Sequence, residues 1–331
     1  MRKITSLLLA TALSFSLVAC GDNTSQKEAE INQVAGIDAS DNVLKIGRQP
    51  GDVVTTIALE KGFFEEEGLD VEVSVFSYGP PIVEALTSGD LDVGLLGDQP
   101  AFSAISNGVG IEIFSAVGSS NQRHGLIARD DSGIESLEDL KGKKVAVPVG
   151  SNAQPLLYIY LESAGLTDSD VEIVNLGVVD AETSIIAGDI DAAVVYEPHF
   201  TSVATEENGV HVVTDAEGYK DYVTLEVLRT DYAKENPEQI AKLLRAWNKA
   251  IEWANENQEE AAQIVYDADG VDKETTLKYF ETTEVHLDLT ESDVKAIVAG
   301  EEQSYKYGLI ENDFDVNDYI NYEYLELAGL R

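Results

Sequence analysis

The sequence predicts a two-lobed α/β fold, each lobe a mainly parallel sheet flanked by helices, with a hinged cleft between them. Three observations carry this expectation. From Val43 onward, short apolar strands alternate with helix-like segments, the pattern that builds parallel sheets. The chain holds 331 residues, 44% of them hydrophobic, which suits two cored lobes of roughly 100–200 residues each. A strand–helix–strand–helix–strand unit ending in an acid beside a proline occurs twice, and such self-similarity marks repeated architecture.

In the first unit, Leu44 to Gly47 reads as a strand, Val53 to Phe64 as a helix and Val71 to Phe76 as a strand. Pro81 to Thr87 then reads as a helix and Leu91 to Leu96 as a strand. Ser88-Gly89-Asp90-Leu91-Asp92-Val93-Gly94, running on to Gly97-Asp98-Gln99-Pro100, is echoed by Ala187-Gly188-Asp189-Ile190-Asp191-Ala192, running on to Tyr196-Glu197-Pro198. Each is a helix end with a glycine stop, a polar turn, a buried strand, and an acid near a proline that opens the next helix. Lys45-Ile46-Gly47-Arg48-Gln49-Pro50 and Lys144-Val145-Ala146-Val147-Pro148-Val149-Gly150-Ser151-Asn152 form a second, earlier echo. Common βα physics explains one such match; two ordered matches at a nearly constant offset favour paired lobes. Open α/β sheets bind ligands beyond the carboxyl ends of their strands. The loops Arg48–Asp52, Gly97–Phe102, Gly150–Gln154 and Tyr196–Phe200 are therefore expected to border one cleft.

His124 to Arg129 reads as the strand leading from the first lobe to the second, and Ser136-Leu137-Glu138-Asp139 as a capped helix start. Val210 to Val213 and Tyr222 to Arg229 read as strands returning to the first lobe. Residues 43–125 plus 225–331 are thus expected to form lobe 1, and 126–224 lobe 2. From Tyr232 onward the chain reads as helical. Ile240, Leu243, Leu244, Trp247, Ile251 and Trp253 recur at near-helical spacing, which makes them core positions.

The N-terminus is read separately. Arg2 and Lys3 precede an apolar run from Ile4 to Val18 and the ending Leu17-Val18-Ala19-Cys20, the anatomy of a secretory signal over residues 1–19. The ending resembles the bacterial lipobox, whose cysteine is diacylated, and Cys20 is the only cysteine in the chain. A plain signal peptide with a stray cysteine near the cut, or a short anchor left uncleaved, is the alternative. Two acyl chains on Cys20 would anchor the chain durably, with residues 20–42 as a polar tether. The whole chain has 22 Lys+Arg and 61 Asp+Glu, a charge of 22 − 61 = −39. Loss of Arg2 and Lys3 with the leader deepens it to 20 − 61 = −41. Such a balance excludes a nucleic-acid-binding surface and a polybasic membrane patch.

The lipobox, Ile46-Gly47-Arg48-Gln49, the paired Gly-Asp-Leu/Ile-Asp segments, Leu137 to Pro148 with Gly150-Ser151-Asn152-Ala153, Tyr196-Glu197-Pro198 and Asn236-Pro237-Glu238 together resemble a known group. It is the extracytoplasmic substrate-binding proteins of ABC importers for nitrate, taurine and aliphatic sulfonates, to which thiamine-precursor binders are related. The likeness runs from about Leu44 to about Ala261. It implies a type II periplasmic-binding-protein-like fold that closes on a small sulfonate, taurine-like or nitrate-like solute. It also implies an ABC permease and its ATPase as partners, no cofactor, and a location outside the cytoplasm, anchored to the membrane through Cys20. Residue by residue it implies ligand contacts at Gln49, at Asp98 and Gln99, at Ser151 and Asn152, and at Glu197. Tyr196 stands where the family carries Trp, and His124 or Thr224 would line the hinge side. A pyrimidine precursor is the alternative ligand; a lipid-anchored enzyme or a protein-recognition sensor is the alternative class.

The residues themselves refine these expectations. Gly150-Ser151-Asn152 at a helix start offers N–H groups, a hydroxyl and an amide to an anion, or Ser151 and Asn152 simply cap their own helix. Gln49 and Gln99 would add neutral donors. Asp98 reads as an N-cap for the helix from Gln99 to Ser106. Glu197 is read as pairing with Arg48 or Arg123, or as facing the ammonium of a zwitterion such as taurine. No catalytic residue or metal site is expected. His124, His199, His211 and His286 lack metal-site spacing. Asp90/Asp92 and Asp189/Asp191 sit in turns at the wrong end of the strands for chemistry.

Overall fold

Ten strands gather into two sheets of five in the computed structural model, which describes residues Val43 to Arg331. The leader, Cys20 and the segment up to residue 42 lie outside the described residues. The strands are β1 (Leu44–Arg48), β2 (Val71–Val75), β3 (Val93–Gly97), β4 (Ile111–Ser120), β5 (His124–Arg129), β6 (Lys144–Val147), β7 (Glu172–Asn175), β8 (Ala192–Tyr196), β9 (Val210–Asp215) and β10 (Tyr222–Arg229). The first sheet runs β2-β1-β3-β10-β4 and the second β7-β6-β8-β5-β9. In each, the first three strands are parallel, and the fourth is antiparallel to both of its neighbours.

The two sheets are the same design, and the echo in sequence is an echo in register. Ile46 and Gly47 pair with Val93 and Gly94, while Val145 and Ala146 pair with Ala192 and Ala193; 145 − 46 and 192 − 93 are both 99. The second acid of each Gly-Asp-x-Asp segment has a definite task. Asp92 accepts the Lys45 N–H at 3.0 Å and Asp191 the Lys144 N–H at 2.9 Å. Each carboxylate so fixes the start of the neighbouring parallel strand. Asp92, buried, is thus a structural clamp rather than the solvated turn residue its position suggests. The glycine stops are needed: Gly89 and Gly188 have φ of 82° and 85° at helix ends, a left-handed conformation that a side chain disfavours.

Each sheet is completed by a strand from the far side of a crossover. After β4 the chain crosses through residues 121–123 into β5, and after β9 it crosses back through 216–221 into β10. This corrects two expectations. Strand β9 closes the second sheet and does not return to the first lobe. At the lobe boundaries, Tyr222, Val223 and Thr224, read as lobe 2, pair within the first sheet, and His124 and Gly125, read as lobe 1, pair within the second. The reason is that a strand's partners depend on where its crossover delivers it, which local pattern does not encode.

Each sheet carries apolar clusters on both faces. The helix Pro237–Glu256 buries Ile240, Leu243, Leu244, Trp247 and Ile251 as its spacing predicts. The Trp247 ring stacks on Phe114 of β4 at 6.1 Å, and Trp253, only partly buried, lies under Lys61. The helix Val53–Glu60 begins where Asp52 accepts N–H bonds from Val54 and Thr55. Asp52→Ala should cost about 1 kcal/mol of stability in urea unfolding, and Asp52→Asn, which keeps an acceptor, less.

Candidate functional site

The four loops at the carboxyl ends of β1, β3, β6 and β8 meet in one cleft of about 970 Å³, including its open mouth. Gln49, Pro50 and Asp52 come from the first loop, Gly97 and Pro100 from the second, Ser151 and Asn152 from the third, and Tyr196 to His199 from the fourth. His124 and Thr224 line it from the two strands that follow the crossovers. Leu95, Leu96, Val53 and Val117 supply an apolar wall.

Of the nine residues singled out from sequence, seven line this cleft: Gln49, His124, Ser151, Asn152, Tyr196, Glu197 and Thr224. Asp98 and Gln99 do not. Asp98 is buried and bound through Oδ2 to the Lys220 ammonium at 2.7 Å, while Oδ1 accepts the Gln99 N–H. Its helix starts at Asp98 itself, so Gly97 and not Asp98 is the N-cap. The Gln99 amide turns into the first lobe, donating to Ser103 and accepting from Ser304. Both side chains are consumed by partners distant in sequence.

Ser151 and Asn152 line the cleft, but their polar groups are largely committed. The Ser151 hydroxyl donates to Pro148 O at 2.7 Å and accepts the Ala153 N–H. Asn152 Oδ1 accepts the Gln99 N–H at 3.1 Å, a bond between the two lobes. The Asn152 amide lies so close to Gly97 that a Cβ there would fall 2.0 Å from Nδ2; Gly97 is what permits the approach. Glu197 accepts from the N–H of Thr201 at 3.1 Å and from the Thr201 hydroxyl. Its cation is Lys278, 3.8 Å from Oε1. Arg48 instead forks onto Asp269 with bonds of 2.7 and 2.9 Å.

The residue that sequence reasoning undervalued is Arg123, in the crossover between β4 and β5. It lines the cleft, with its guanidinium 4.5 Å from the centroid of Tyr279. Its Nε is sealed from solvent without a partner, and its side chain makes no ion pair among the described residues. Burial pulls its pKa down, partly opposed by Tyr279 and Glu197, yet arginine keeps its charge in proteins. Two neighbours share this unmet demand. His124 Nδ1 and the Tyr196 hydroxyl are also closed to solvent without partners among the described residues. Burial, reinforced by Arg123 and Lys220, holds the His124 pKa well below its usual value; the ring is neutral at pH 7. It stacks on Tyr222 at 3.7 Å, which fixes its plane. Buried polar groups are nearly always hydrogen-bonded, and here three residues lining one cleft each hold one that lacks a partner among the described residues.

Comparison with known proteins follows from this geometry. A family model described as NMT1/THI5 like matches residues 52–261. A Bacillus subtilis (strain 168) protein named for aliphatic sulfonate binding is 28% identical, with 97% of this chain and 96% of that protein covered. A taurine-binding periplasmic protein of Escherichia coli (strain K12) is 37% identical over 54% of this chain and 55% of its own. Among solved structures, the alkanesulfonate-binding protein SsuA of Xanthomonas axonopodis pv. citri bound to MOPS superposes with a TM-score of 0.77. It is 20% identical, covering 86% of this chain and all of that one. This last likeness speaks for the fold.

Proposed function

The chain belongs to the NMT1/THI5-like family, and from that premise we propose that it is the solute-binding component of an ABC importer. It captures a small sulfonate in the interlobe cleft outside the cytoplasm and delivers it to a permease and its ATPase. The observation that carries this reading is that Arg123, His124 and Tyr196, each holding a buried polar atom without a partner among the described residues, all line one cleft with an apolar wall. A sulfonate presents three acceptor oxygens, one negative charge and an apolar tail, and it answers each of these features. Gln49, Thr224, Ser151 and Asn152 would shape the rest of the pocket. The relatives named for sulfonate and taurine binding support the same solute class.

We read the protein as a carrier that releases its solute unchanged, and Cys20 as its lipid anchor to the membrane. Mass spectrometry of the mature N-terminus tests the anchor, which fails if Cys20 is unmodified or removed. Tyr196 and Tyr279 also line the cleft, aromatic surface that would suit a planar pyrimidine precursor, so the ligand screen includes one. In a thermal-shift screen of alkanesulfonates, taurine, nitrate, bicarbonate and a formylaminopyrimidine, a sulfonate should give the largest rise in Tm. At a concentration of ~100 Kd the stabilisation should reach about 2.7 kcal/mol. A screen in which no sulfonate raises Tm, or in which the pyrimidine does so alone, overturns the assignment.

A further inference from the structure

Two carboxylates line the cleft, and an amine-bearing sulfonate would need one of them for its ammonium. Asp52 is engaged by the N–H groups of Val54 and Thr55. Glu197, its side chain only 3% exposed, is engaged on three sides. Thr201 donates to it through both N–H and hydroxyl. Lys278 reaches over from the helix Lys273–Thr282, standing 3.8 Å from Glu197 Oε1 and donating to Thr201 Oγ1 at 3.5 Å. That helix packs with the first lobe through Tyr279 and Phe280, whereas Glu197 follows β8 of the second. The first lobe thus supplies the cation for the second lobe's acid. An incoming ammonium would meet a carboxylate already countered by Lys278 and would lie near a second cation, Arg123.

We infer that this cleft selects sulfonates with an uncharged tail over amine-bearing ones, and that Lys278 sets the selection by occupying Glu197. The inference rests on the sulfonate reading above. Specificity of this kind works by placing an unfavourable charge against the wrong ligand. Lys278 is partly exposed at 43%, so its replacement leaves the core intact.

Calorimetric titration of the purified protein with ethanesulfonate and with taurine, which differ only by the amine, tests it. Ethanesulfonate should bind at least ~10-fold more tightly than taurine, and in Lys278→Gln the ratio of the two constants should fall ~5-fold or more. Because the ratio is read, any general loss of closure in the variant cancels. Equal binding or a taurine preference in the parent protein, or an unchanged ratio in Lys278→Gln, overturns this inference and leaves the sulfonate reading standing. Binding of neither ligand or any longer alkanesulfonate overturns both.

Discussion

Replacing Arg123 with methionine should weaken sulfonate binding by about 3 kcal/mol, roughly 100-fold, while the unliganded protein keeps its melting temperature or gains a little. The two halves of this expectation have one cause. The guanidinium is held in the crossover beside Tyr279 with no ion pair among the described residues, so the Tyr279 ring and the charge of Glu197 offset only part of its desolvation cost. Methionine keeps the apolar stem against Tyr279 and removes that cost. A bound sulfonate, by contrast, loses a charge-assisted bond in a site where few alternatives exist. Calorimetry and thermal melts on the same preparation read both effects. A stabilising structural role for Arg123 would show as a clear drop in the melting temperature of the unliganded protein, and unchanged affinity would remove it from the site. Arg123→Lys should recover only part of the affinity, because a point charge cannot reproduce the guanidinium's planar donors.

What could be read in the sequence, and what could not, divides along physical lines. The paired lobes were legible because the Gly-Asp-x-Asp segments solve a local problem twice: a helix must stop, and a parallel strand must start in register. The residues that do this lie within a few positions of one another, as Gly89 with Asp92 and Gly188 with Asp191. The four cleft loops were legible for a similar reason, since they follow from strand ends. The fate of Asp98 was not, because its partner Lys220 lies 122 positions away in the second crossover. Gln99, likewise, is claimed by Ser304, 205 positions on. Arg123 was visible as a rare cation, but a crossover residue belongs to no strand end, and nothing local reveals that it forms no ion pair among the described residues. Glu197 had several conceivable cations; only the packing of the helix Lys273–Thr282 across the cleft selects Lys278.

The Lys220–Asp98 pair carries the largest expected effect on stability. Its side chains are 3% and 1% exposed and 2.7 Å apart. Gly300 makes room for the pair: a Cβ there would lie 2.8 Å from Asp98 Oδ2 and 2.9 Å from Lys220 Nζ. Lys220→Met should therefore cost about 3–5 kcal/mol, because it strands a buried carboxylate rather than merely deleting a contact. The double variant Lys220→Met/Asp98→Asn should recover most of that loss, since the asparagine can still accept the Gln99 N–H that Asp98 Oδ1 now holds. Urea unfolding of both single variants and the double closes a thermodynamic cycle. Additive losses would mean that the two charges are independently solvated and that the pair does not pin the second crossover. A strong coupling would mean the opposite. The crossover from β9 to β10 would then be fixed to the first lobe at the start of the helix Asp98–Ser106, one residue from the Asn152–Gln99 bond between the lobes. Lobe motion would be left to pivot about that fixed point.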